Sequence, residues 1–204
     1  MPMSMNNAMS EIRMAGRAGG TRGRMKWRGV LCVALSMLGV PELANAADPQ
    51  PRLLPGAVSM HPGFGDGYKR LALNWESSPL WSHQFSGRWG RLDLTGELGV
   101  SYWWANGGRT PASAWQASAI PMLRWWVSER IYLEAGVGLT AFSGASFAGK
   151  QISTAFQFGD HVGLGYQVSR ADRIGFRYSH FSNAGIKRPN PGLDVFQLTY
   201  TRSF

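Results

Sequence analysis

The sequence has a single cysteine, Cys32, in 204 residues. One thiol excludes an intramolecular disulfide framework and a cysteine-built zinc site. Acidic residues are scarce, 12 against 21 Lys and Arg, for a formal charge of +9. No run of 18 apolar residues occurs, which excludes a bundle of membrane-spanning helices. The four histidines (His61, His83, His161, His180) lack metal-ligand spacing, so no metal site is expected. No glycine-rich phosphate loop is present, because the glycines alternate along the chain. The basic residues are dispersed and form no aromatic–basic cluster, so nucleic acid is not an expected partner. An anionic membrane surface suits the charge better. What the chain does have is 26 Gly, 9 Trp, 6 Tyr and 10 Phe. At 44% hydrophobic residues it is too apolar to stay disordered.

The first 46 residues read as an export leader. Six basic residues (Arg13, Arg17, Arg22, Arg24, Lys26, Arg28) precede an apolar run from Gly29 to Val40, and Ala44-Asn45-Ala46 follows. That run is too short to span a bilayer, and the small residues fit a signal-peptidase site. Cleavage is expected after Ala46, leaving residues 47–204 as the mature domain and removing Cys32. Met25-Lys26 would make a normal start, so residues 1–24 read as a start-site extension.

Residues 47–204 alternate with period two between Gly, Pro, Asn and Ser clusters, and show no helical period. Leu92, Leu94, Leu98, Val100, Tyr102 and Trp104 share one parity, while Asp93, Thr95, Glu97, Gly99 and Ser101 take the other. Eight such segments are expected, near 55–62, 67–77, 90–104, 113–127, 130–142, 154–169, 172–182 and 193–204. Long strands of even number, apolar on one face and small or polar on the other, are the pattern of an eight-stranded antiparallel transmembrane β-barrel of the outer membrane. Trp103, Trp104, Trp125 and Trp126 suggest aromatic girdles at the interfaces. The alternative is a soluble lipocalin-like barrel with the apolar face inward. Against it, the polar face is rich in Gly and Ser and poor in Lys and Glu, whereas a soluble surface needs charge. Eight strands enclose a side-chain-filled interior, so a diffusion channel is not expected.

One segment carries more than barrel pattern. Ile174, Phe176 and Tyr178 form the outward row of the seventh strand, and that row continues to His180 and Ser182. On the eighth strand Phe196, Leu198 and Tyr200 face outward, and Asp194 shares their parity. A hairpin between Ser182 and Asp194 would gather a base, a hydroxyl and an acid at one rim, facing lipid. Those three groups are what activates a weak serine nucleophile. Asn183 and the Gly185 N–H are candidate oxyanion donors. Both termini of an even-stranded barrel lie on the periplasmic side, so this rim is expected at the outer leaflet. By parity alone the same residues also read as polar groups at an interfacial strand end.

His180-Phe181-Ser182-Asn183-Ala184-Gly185-Ile186, running on to Pro189-Asn190-Pro191-Gly192, resembles the motif of the lipid A 3-O-deacylases. The stretches Ile131–Gly138, Ala141–Gly144 and Phe158–Gly165 are similar in order and spacing. The resemblance covers most of residues 55–204. It implies an eight-stranded outer-membrane enzyme, with His180 as base, Ser182 as nucleophile and Asn183 in the oxyanion hole. The family's acid is usually Glu, twelve residues after the serine. Here that position holds Asp194, one methylene shorter. The expected function is hydrolysis of the ester-linked 3-hydroxyacyl chain at the 3-position of lipid A, without a cofactor. Expected partners are lipopolysaccharide and outer-membrane lipids, with a homodimer left open. A non-enzymatic structural or adhesive barrel and a lipid A acyltransferase are the competing readings.

Overall fold

The computed structural model describes residues 55–204. The leader (1–46), its cleavage point and the start-site extension (1–24) lie outside the described residues. Eleven strands follow in order: β1 (Gly56–Gly65), β2 (Tyr68–Ser77), β3 (Trp81–Gln84), β4 (Arg91–Ala105), β5 (Ser113–Trp126), β6 (Ile131–Phe142), β7 (Ser146–Phe147), β8 (Lys150–Gln151), β9 (Phe156–Gln167), β10 (Asp172–Ser182) and β11 (Leu193–Ser203). Eight of them are long, and each pairs antiparallel with its neighbour in the order β2-β1-β11-β10-β9-β6-β5-β4. Pairing of β2 with β4, from Tyr68↔Ala105 to Glu76↔Glu97, closes the ring. These eight are the expected segments. The unforeseen β3, β7 and β8 are two to four residues long, too short to show alternation.

Exposure decides which face meets the bilayer. Leu98 is 54% exposed and Leu198 65%, whereas Arg124 and Arg177 are each 3% exposed. The apolar row points out and the charged row points in, the reverse of a soluble barrel. Neighbouring residues on a strand face opposite sides. The tandem tryptophans therefore cannot both join an outer girdle. Trp103 is fully buried inside the barrel, and only Trp104 faces out.

The interior is filled in two layers. Midway along the barrel, Arg124 pairs with Glu76 at 2.8 Å and Glu134 at 3.3 Å. Arg173 reaches Glu76 at 2.8 Å. Arg177 bridges Glu97 at 2.9 Å and Glu134 at 2.8 Å. The inner face is thus free of buried lysine among the described residues, as expected, but not poor in glutamate. Each carboxylate there has a guanidinium partner, without which its burial would be costly. Inward glycines make the room: a Cβ on Gly165 would overlap the Tyr132 ring, and one on Gly163 would lie 2.9 Å from Glu134 Oε1. Toward the β10–β11 loop the filling turns apolar, with Tyr68, Trp103, Phe142, Phe147, Ile152, Phe181 and Leu193 buried together. The β7–β8 hairpin supplies Phe147 to this plug. Side chains fill the lumen here, as suits eight strands, and give the outer wall beside them a rigid backing.

Candidate active site

The β10–β11 hairpin sets the site. The register pairs His180 with Asp194 and Phe181 with Leu193. Phe181, Leu193 and Val195 point into the plug and are almost fully buried. Alternation then forces His180, Ser182 and Asp194 onto the outer wall. The His180 side chain is 35% exposed and that of Asp194 52%. His180 Nδ1 lies 2.7 Å from Asp194 Oδ1. This leaves Nε2 as the ring nitrogen available to the serine. The Tyr178 hydroxyl donates to the same Asp194 oxygen at 2.6 Å.

The chain leaves β10 through a tight turn. Ala184 (φ 52°) and Gly185 (φ 83°) are both left-handed, and the Ile186 N–H donates to the Asn183 carbonyl at 3.0 Å. A left-handed alanine is uncommon and is held by its surroundings. Asn183, fully buried, does the holding. Its amide donates to the Ile152 carbonyl at 3.0 Å and the Lys187 carbonyl at 2.9 Å. Its Oδ1 accepts from the Gly185 N–H at 3.0 Å. The Ala184 N–H lies 3.4 Å from Ser182 Oγ. On the return path Ser153 Oγ donates to the Pro189 carbonyl at 2.6 Å. Gly192 (φ 70°) then brings the chain back against the imidazole, where a Cβ would sit 2.5 Å from His180 Cε1.

A lipid-facing imidazole, bonded to a carboxylate on one side and next but one to a serine along the same row, supplies the groups that a serine esterase uses. The profile of a family described as "Lipid A 3-O-deacylase (PagL)" matches residues 67–203. The chain belongs to the lipid A 3-O-deacylase family. It is 62% identical over 169 residues to the lipid A deacylase PagL of Bordetella bronchiseptica, covering 82% of this chain and 95% of that one. It is 30% identical over 171 residues to the lipid A deacylase PagL of Pseudomonas aeruginosa, covering 81% and 94%. The crystal structure of the outer membrane enzyme PagL superposes with a TM-score of 0.60 at 28% identity, covering 72% of this chain and 99% of that one.

In this family member the structure brings His180 and Asp194 together and sets Ser182 on the same row. Asn183 and Gly185 lie in the adjoining turn, bonded to each other. Three further groups are not legible from sequence. Parity marks Tyr178 only as a lipid-facing aromatic. Tyr68 reaches Asp194 from 126 residues away. Ile152 anchors Asn183 through its backbone carbonyl, which no side-chain pattern reports. The inward His161 and Glu134 are absorbed by the interior: His161 Nδ1 meets Ser179 Oγ at 2.7 Å, and Glu134 meets the arginines. Asp160 stands across from His180 on β9, on the outward row.

Proposed function

We propose that this chain removes the ester-linked 3-hydroxyacyl chain from the 3-position of lipid A by a Ser182–His180–Asp194 mechanism on the outer wall of its barrel. It is an outer-membrane β-barrel enzyme, and its site faces the outer leaflet, where lipid A resides. The observation that carries the mechanism is the 2.7 Å contact between His180 and Asp194 on the lipid-facing row shared with Ser182.

The chemistry follows from the groups present. Ser182 Oγ attacks the ester carbonyl carbon as its proton passes to His180 Nε2. Asp194 accepts from the His180 Nδ1–H, fixing the tautomer and stabilising the imidazolium. The negative charge on the former carbonyl oxygen is met by the Ala184 N–H, which lies beside Ser182 Oγ in the turn whose shape Asn183 maintains. Collapse breaks the bond to the sugar oxygen, which leaves with the proton from His180. A water molecule, deprotonated by the same imidazole, then releases the fatty acid from Ser182. The residues named all come from one chain, and no step draws on a cofactor.

Lipid A mass spectra from cells with and without the protein test this reading. Wild-type protein should remove the mass of one hydroxyacyl chain, and Ser182→Ala and His180→Ala should leave lipid A intact. A gain of mass would mark an acyltransferase, an unchanged spectrum a non-enzymatic barrel. Full activity in either alanine variant would remove that residue from the mechanism. Asp194→Ala should lower kcat, and Asp194→Glu should retain activity.

A further inference from the structure

Asp194 is held by two tyrosines that approach it from opposite faces of the barrel wall. Strand β1 pairs with β11 as far as Phe64↔Phe196. There β1 turns away at Gly65, so among the described residues Asp194 has no ladder partner on that side. The Tyr68 hydroxyl takes that place. It accepts from the Asp194 N–H at 2.9 Å and donates to the Asp194 carbonyl at 3.0 Å. One phenol thus makes both bonds that a neighbouring strand would have made. Its ring is fully buried, wedged against Trp103 and Phe147 with centroids 5.6 Å from each. Gly65 lets it through, because a Cβ there would overlap both the Tyr68 ring and the Asp194 carbonyl oxygen. On the outer wall, Tyr178 donates to Asp194 Oδ1, the oxygen that also meets His180.

We infer that Tyr68 and Tyr178 are positioning residues for the acid of the triad, Tyr68 setting its backbone from inside the barrel and Tyr178 its carboxylate from outside. The inference rests on the reading of Asp194 as that acid. Aspartate has one torsion fewer than glutamate to correct an error in backbone placement. A short acid therefore needs its main chain fixed, and a residue in the rigid plug supplies the fix. The second bond, to Tyr178, selects the carboxylate rotamer that presents Oδ1 to the imidazole.

The test is a set of double-mutant cycles on the full chain purified in detergent micelles, assayed for hydroxyacyl release from lipopolysaccharide. Tyr68→Phe and Tyr178→Phe should each lower kcat about tenfold, with KM unchanged, as expected for lost orientation. In an Asp194→Ala background neither should cost anything more, because both act through that carboxylate. In an Asp194→Glu background the Tyr68→Phe penalty should shrink, since the longer side chain reaches His180 from a looser backbone. A Tyr68→Phe penalty of equal size in the wild-type and Asp194→Ala backgrounds would mean a structural role and overturn the inference. So would unchanged kcat in the Tyr68→Phe or Tyr178→Phe single variants. If Asp194→Ala alone leaves kcat intact, the triad reading itself fails, a separate result. The heat-dependent gel shift of a folded barrel checks folding. Should Tyr68→Phe not fold, Tyr178→Phe, which only loses a hydroxyl at the outer wall, decides the carboxylate half.

Discussion

At the scale of single residues, the site depends on groups too small to attract notice. Gly192 sits against the imidazole edge with φ 70°. Gly192→Ala adds a methyl 2.5 Å from His180 Cε1 and puts a side chain where the backbone disfavours one. The ring must shift or the loop must move, and a misplaced base costs rate steeply, on the order of a hundredfold for an ångström. Gly192→Ala should therefore lower kcat by at least about tenfold, while the gel shift reports a folded barrel. An unaffected rate would show that the loop absorbs the methyl. The proposed triad was legible because three parities converged on one rim. Tyr68 was not, because a buried tyrosine at a strand start looks like any core aromatic until its hydroxyl partner is seen.

At the scale of elements, strand parity carried most of the reading. It assigned Arg177 to the inner row of β10 without showing what the guanidinium meets, since Glu97 lies 80 residues away on β4 and Glu134 lies 43 away on β6. Arg177→Met would leave those two buried carboxylates without their bridge. Removing one partner of a buried ion pair costs roughly 3–5 kcal/mol. A urea titration of the variant refolded into lipid vesicles should show that loss, and an unchanged midpoint would mean that the remaining arginines compensate. The short β7–β8 hairpin escaped the period-two pattern, yet it contributes Phe147 to the plug and precedes Ile152, which anchors Asn183. Two-residue strands are made by their packing, and packing has no local signature.

At the scale of the whole molecule, the medium outside the barrel is what makes the parity meaningful. Leu98→Arg replaces a side chain 54% exposed on the outer wall. On a soluble barrel an exposed arginine is almost neutral. In a bilayer midplane it costs about 2–4 kcal/mol. Unfolding measured in lipid vesicles should show a penalty of that size, and a neutral result would contradict the lipid-facing assignment. The net charge of +9 divides in the same way. Among the described residues, four buried arginines (Arg70, Arg124, Arg173, Arg177) are matched by four buried acids (Glu76, Asp93, Glu97, Glu134), so the interior is balanced and the excess positive charge lies outside it.

The sequence by itself determined the architecture, the outward row and the three candidate catalytic residues, because alternation follows from strand geometry and needs no knowledge of neighbours. Set beside the family's motif, it also showed an aspartate where a glutamate is usual. Only the tertiary structure decided how that shorter acid is held. The Tyr68 hydroxyl stands in for a strand partner that β1 gives up at its turn, and such a contact exists only once the ring has closed and the plug has packed.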